Sequence, residues 1–127
     1  MNTWRILLAD RDPYTRELVR AVAAKLGAYS VNVDAGTQAL HVLSSGDWLA
    51  AVCTEMIEPP SGVRLICLAR RAGLTVPFLL LDDAAALPSL LPGLLRSRVV
   101  TIRPPLRSSD LESYLRQRCH SEKARAV

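Results

Sequence analysis

The amino-acid sequence predicts an α/β fold built on a parallel sheet, and three observations carry that prediction. Apolar runs of strand length alternate five times with longer segments of helical period, the order expected of strand-helix-strand units. The first run, Trp4-Arg5-Ile6-Leu7-Leu8-Ala9, is continuously apolar after Arg5, as a strand covered by helices on both faces must be. With 127 residues, 50% of them hydrophobic, the chain has material for one core and not for two.

Each element has its own justification. Asp12-Pro13 opens the first helix: the carboxylate can accept from free backbone N–H groups, and proline at the first helical position surrenders a donor that has no intrahelical partner there. Leu18, Val22 and Leu26 form its expected buried stripe, and Gly27 closes it. Ser30–Val33 reads as a short second strand, followed by a helix from Gly36 to Leu43 that ends in the Ser44-Ser45-Gly46 turn. Ala50–Cys53 is the third strand, and its small residues suit a central place under closely packed helices. A loop rich in proline and acid, Glu55 to Ser61, leads to a helix over Gly62–Arg71 with Val63, Ile66 and Cys67 among its apolar positions. Val76–Leu81 and Val99–Ile102 are the fourth and fifth strands. Pro88 and Pro92 cannot both lie inside a regular helix, so the fourth helix is expected to be short, kinked or displaced. The last helix is predicted over Ser108–Arg118 with Leu111, Tyr114 and Leu115 turned inward. The domain is expected to span residues 1–120, with a frayed tail from Ser121 to Val127.

Composition narrows the function classes. The formal charge of +4 comes almost wholly from arginine, since Lys25 and Lys123 are the only lysines. Such a surface can attract nucleic acid or an acidic protein, but no recognition helix or aromatic stacking platform accompanies it, which disfavours nucleic-acid binding. Cys53, Cys67 and Cys119 are odd in number and widely spaced, against a disulfide framework or zinc site and in favour of a reducing cytoplasm. The apolar stretch Ile6 to Ala9 is too short for a secretory signal, and Asp82, Asp83, Pro88 and Pro92 interrupt the only tract long enough to suggest a membrane span. There is no phosphate-cradling glycine loop and no HExxH motif, so the chain is not expected to be an enzyme. His41 and His120 fall on peripheral helices, away from Cys53, which is expected to fill the core.

Four segments then resemble the receiver domains of bacterial two-component response regulators. Ile6-Leu7-Leu8-Ala9-Asp10-Arg11-Asp12-Pro13 is similar to that family's first strand running into its acidic cluster. Thr54-Glu55-Met56-Ile57-Glu58-Pro59-Pro60-Ser61-Gly62 resembles the acceptor loop, in which an aspartate is followed eight residues later by glycine. Val76 to Asp83 resembles the fourth strand with its terminal Thr/Ser-Ala, and Ile102-Arg103-Pro104-Pro105 the fifth strand with its Lys-Pro pair. The resemblance covers nearly the whole chain. It implies a flavodoxin-like (CheY-like), doubly wound α/β/α domain of three layers, with strand order 2-1-3-4-5 and its functional crevice at the carboxyl ends of the strands.

A working receiver transfers a phosphoryl group to an aspartate with the help of magnesium held by acidic side chains. This sequence departs from that pattern at nearly every position. The acceptor position is Thr54, whose hydroxyl is a poor nucleophile without a base. The acidic pair is Asp10 with Arg11, the hydroxyl position is Asp82, and the lysine position is Arg103, which exchanges a point charge for a planar fork. Magnesium binding is expected to be weak or absent and no other cofactor is implied. The replacements suggest a metal-free pocket in which Asp10, Asp12 and Asp82 face Arg11 and Arg103. Asp12 is read first as a helix cap, Asp82-Asp83 equally as cap or pocket residues, and Glu55 as an ordinary solvated loop residue.

The expected function is therefore that of a pseudo-receiver: signalling through contact with a protein partner or a second copy, independent of phosphorylation. The family's contact face, made by the fourth helix, fifth strand and last helix, corresponds here to Leu90, Leu91, Leu94 and Leu95 rimmed by Arg96, Arg98 and Arg107, with Val100 at the aromatic switch position. Two rival readings remain at this point: residual phosphorelay through Asp10 or Asp82, and arginine-driven nucleic-acid binding.

Overall fold

The computed structural model describes residues 4–83 and 98–125. Strands β1 (Trp4–Ala9), β2 (Ala28–Val33), β3 (Ala50–Thr54), β4 (Phe78–Leu81) and β5 (Val99–Ile102) form one parallel sheet in the order β2-β1-β3-β4-β5. Helices α1 (Pro13–Lys25), α2 (Gly36–Leu43), α3 (Gly62–Arg71) and, at the C-terminal end, α4 (Ser108–Arg125) complete the regular elements among the described residues. The predicted fold and strand order are those observed. The expected fourth helix around Pro88 and Pro92 lies outside the described residues.

The alternation of side chains along the strands divides the core in two. Leu7, Ala51, Cys53, Phe78 and Leu80 pack on one face with residues of α2 and α3, whereas Ile6, Leu8, Val52, Leu79 and Leu81 pack on the other with α1 and α4. Ile6, Leu7 and Leu8 are all fully buried, which is why this run shows no polar alternation. Each such side chain contributes about 1.5–3 kcal/mol on leaving water.

Several sequence expectations need correction. In α1 the buried residues are Thr15, Val19, Val22 and Ala23, and Leu18 and Leu26 lie at the edge of the core. In α3 they are Gly62, Leu65, Ile66 and Ala69, with Val63 and Cys67 only partly covered. In both helices a small residue, Ala23 or Ala69, takes one of the buried positions. The expected frayed tail is helical through Arg125, since α4 continues past its inward residues Leu111, Tyr114 and Leu115. No helix of the described residues is long and apolar enough to cross a membrane.

Candidate functional site

The carboxyl ends of β1, β3, β4 and β5 meet at one rim. Ala9 pairs with Cys53, Thr54 with Leu81, and Leu81 with Ile102, so Asp10, Thr54, Asp82 and Arg103 follow at adjacent strand ends. The order of the strands thus brings together four residues that the sequence spreads over most of the chain.

Asp10 is buried, 8% exposed, with Oδ1 accepting from the Asp12 N–H at 2.9 Å. Loss of water raises its carboxyl above the ordinary aspartate value, and the Asp12 N–H opposes that shift. Asp12 caps α1: its Oδ2 accepts from the Thr15 backbone N–H at 3.0 Å and from the Thr15 hydroxyl at 2.7 Å, and these bonds hold its carboxyl below the usual range. The cap is formed as the sequence predicts. Arg16, one turn further along α1, donates from Nε to the Asp10 carbonyl at 2.8 Å and pairs through Nη2 with Asp34, at the end of β2. Nothing in the local sequence pattern singles out Arg16, because its charged partner, Asp34, is brought to it only by the β1-β2 pairing.

Thr54 is half-buried and its hydroxyl accepts from the Met56 N–H at 3.3 Å, a turn-stabilising contact within its own loop. Glu55 is not the solvated residue expected from the pleat. Its Oε1 accepts from the Val63 N–H at 2.7 Å, and so caps α3, where the N-cap residue Ser61 makes no side-chain bond of its own. Gly62 lets this helix start against the rim: a Cβ there would lie 2.5 Å from Leu80 Cδ1 and 2.9 Å from the Thr54 carbonyl oxygen. The spacing of Gly62 from Thr54 is explained by that close approach.

The charged lining differs from the salt-bridged pocket expected from the sequence. Arg11 pairs with Glu58 on the β3-α3 loop at 3.5 Å, both side chains more than 60% exposed. Arg103, followed by the cis Pro104-Pro105 bond, is exposed and forms no ion pair with a described residue. Both guanidinium groups keep their hydration, and burial beside Asp10 or Asp82 would remove it. Asp82 is buried, and its N–H donates to the Ile102 carbonyl at 3.1 Å. The cation that fastens the rim is Arg16, not Arg11 or Arg103.

In sequence comparison no family model and no curated protein matches the chain. Solved structures do match. The signal receiver domain of an HD domain-containing protein from Pseudomonas fluorescens superposes with a TM-score of 0.80 at 17% identity, covering 97% of this chain and 99% of that one. The receiver domain of a Francisella response regulator gives a TM-score of 0.78 at 16% identity over 91% of this chain and 96% of the other. The fold is that of a receiver domain. A third match, the receiver domain of a sensor histidine kinase from Pseudomonas aeruginosa with a magnesium ion coordinated in its active-site cleft, has a TM-score of 0.71 at 19% identity over 91% of this chain and 97% of that one.

The donors at this receiver-fold rim are a poor set for such an ion. Magnesium demands an octahedron of oxygens and keeps to carboxylates and water. Here one oxygen of Asp10 is engaged by the Asp12 N–H, one oxygen of Asp12 accepts from Thr15, and Thr54 offers a neutral hydroxyl. Among the described residues no three His, Cys, Asp or Glu side chains gather closely enough to hold a metal.

Of the predicted contact face, Leu90, Leu91, Leu94, Leu95 and Arg96 lie outside the described residues. Val100 is 44% exposed on β5 and Arg107 is exposed before α4. Arg98 stands at the start of β5, against the last helix. It donates to the Thr75 carbonyl at 2.9 Å and pairs with Glu122 at 3.8 Å, at the amino-terminal end of the sheet.

Proposed function

We propose that this chain is a receiver-type signalling module of the cytoplasm that acts by protein contact, with no phosphoryl transfer to its own side chains. The observation that carries this reading is Thr54. It stands at the end of the middle strand, beside Asp10, with its hydroxyl engaged by the Met56 N–H. A hydroxyl at neutral pH needs a base to attack phosphorus, and the described hydrogen bond of the Thr54 hydroxyl is with the Met56 N–H and not with the Asp10 carboxylate. Supporting this, Arg11 and Arg16 put guanidinium groups around a rim where phosphoryl chemistry of this kind uses a divalent cation. The module would act as a binding surface and not as an enzyme. Its contact face would be β5 and α4, with exposed Val100 and Arg107, together with the leucine-rich stretch from Leu90 to Arg96, docking a protein partner or a second copy.

The test is incubation with acetyl phosphate and magnesium, followed by intact mass. An unchanged mass is expected. A gain of one phosphoryl group at Thr54, Asp10 or Asp82 would refute the reading. A magnesium titration followed by NMR adds an independent check, since saturable shifts at Asp10 in the low millimolar range would contradict it.

A further inference from the structure

Helix α4 carries Glu112, Arg116, Cys119 and Lys123 at the three- and four-residue spacing of a single helical face, with Arg116 and Lys123 two turns apart, about 10 Å along the axis. That face lies against the C-terminal end of α1 and the start of β1. There Trp4, Leu26 and Cys119 pack at the edge of the core that α1 and α4 share, partly covered and partly open to water. They form the apolar floor of a groove of about 360 Å³, at the small end of the range for small-molecule sites, about 300–1,000 Å³. Trp48 packs on the other face of the sheet and takes no part in it.

The cations of the groove are gathered by one carboxylate. Lys25 Nζ donates to Glu112 Oε1 at 2.7 Å and Arg116 Nε donates to Glu112 Oε2 at 3.1 Å, and these two bonds, the Lys25 bond first, hold the Glu112 carboxyl below its usual range. Lys123 reaches the same place: burial raises the Cys119 thiol, and the charges of Lys123 and then Arg116 oppose that shift. Lys123 forms no ion pair with a described residue, and the next carboxylate along α4, Glu122, pairs with Arg98 at the start of β5. Three cations thus share one carboxylate beside an apolar floor, a surplus of two positive charges. Arg116 uses only Nε on Glu112, so its planar fork keeps both Nη groups for an incoming anion. A second copy of this surface would set like charges against each other, which disfavours a dimer through it.

We propose that this groove binds a small amphiphilic anion, a straight-chain carboxylate whose head is held by Arg116 and Lys123 and whose chain lies against Trp4, Leu26 and Cys119. A bare anion would leave the apolar floor without a role, and a neutral hydrocarbon would leave the surplus charge without one. Lys25 and Arg116 are more than half exposed, so the attraction is screened by salt and the affinity is modest. The groove lies on the α1-α4 side of the sheet, away from the rim, and its occupancy does not depend on the signalling reading above.

The test uses octanoate as probe at low ionic strength. Acetate supplies the head without the chain, and octylammonium supplies the chain with the opposite charge. The indole N–H resonance of Trp4 in the labelled protein reads the groove, and that of Trp48, on the other face of the sheet, is the internal reference. Saturable movement of the Trp4 resonance with half-saturation near about 1 mM octanoate is expected, with acetate and octylammonium at least about tenfold weaker and Trp48 unmoved. Lys123→Glu should weaken octanoate about tenfold, while Arg20→Gln, which removes a charge elsewhere on α1, should not. Circular dichroism establishes that each variant is folded. If Lys123→Glu fails to fold, the three probes on the wild type decide. No saturable movement of Trp4 up to about 10 mM octanoate, an equal response to acetate or to octylammonium, or full binding by the folded Lys123→Glu variant overturns the proposal. Movement of Trp48 without Trp4 does the same. Binding to phosphatidylglycerol vesicles with Trp4 unmoved by free octanoate would assign the charge to a membrane surface and also overturn it.

Discussion

Replacing Gly62 by alanine should destabilise the protein far more than one methyl group suggests. The added carbon would stand 2.5 Å from Leu80 Cδ1, 2.9 Å from the Thr54 carbonyl oxygen and 3.1 Å from the Glu55 Cα. Two of these neighbours are backbone of the β3 end, and Leu80 is fully buried between the sheet and α3, so it has nowhere to retreat. The first turn of α3 must therefore lift. Overpacking of this kind costs about 1–3 kcal/mol. The lift also strains the Glu55 bond to the Val63 N–H, and a hydrogen bond to a charged group is worth about 1.5–3 kcal/mol. Against this stands the lower chain entropy of alanine in the unfolded state, about 0.4–1 kcal/mol. The net loss is about 2–5 kcal/mol, and at about 4 °C per kcal/mol for a chain of this length Tm should fall by about 8–20 °C. Thermal unfolding followed by circular dichroism measures it. Gly73→Ala is the comparison, because Gly73 has φ +83° with nothing within 4 Å of its added carbon, and so only the strain of the left-handed conformation, about 1–2 kcal/mol, should be felt. A Gly62→Ala protein melting within about 3 °C of the wild type, or above Gly73→Ala, would mean that α3 is not seated on the rim as described.

Asp10→Asn should leave the protein at least as stable at pH 7. Burial raises the Asp10 carboxyl, so its contribution to stability is complete below the unfolded-state value and is lost as pH rises through the folded one. The advantage of the asparagine variant should grow from pH 4 to pH 7, and Tm measured across that range would refute the sign if it shrank. A double-mutant cycle on Arg11 and Glu58 should give a coupling of about 0.5 kcal/mol or less that vanishes at high salt, given the exposure of both groups. Coupling of several kcal/mol would show the pair to be buried. In the native protein Cys53 should resist alkylation, because burial first, and then the charges of Glu55 and Asp10, push its thiol far above the ordinary value. Thiol titration with and without denaturant checks this, and rapid native modification of Cys53 would count against the described core.

Much of the architecture was legible because strands buried on both faces leave a plain signature. The β1 run, the α2 and α3 boundaries and the β5 boundary coincide with what hydrophobic period and turn residues predict. The buried stripes of α1 and α3 were less legible: period alone favours the large residues Leu18 and Val63, but helices seat on a sheet through small ones such as Ala23 and Ala69. The helical continuation of α4 through Arg125 was invisible in a segment with little apolar content. At the rim, Asp12 was readable as a cap because its partner is three residues away. Glu55 was misread because its partner, the Val63 N–H, depends on how the intervening loop folds back.

The sequence alone determines which residue types occupy the strand ends: a threonine, two aspartates and an arginine, with Gly62 eight residues beyond the threonine. That chemistry is local and cannot be altered by packing. Which charges meet was decided only in three dimensions, where β1-β2 pairing hands Asp34 to Arg16 and the β3-α3 loop offers Glu58 to Arg11. Ion pairs are chosen by distance and hydration, and neither quantity exists until the strands are placed side by side.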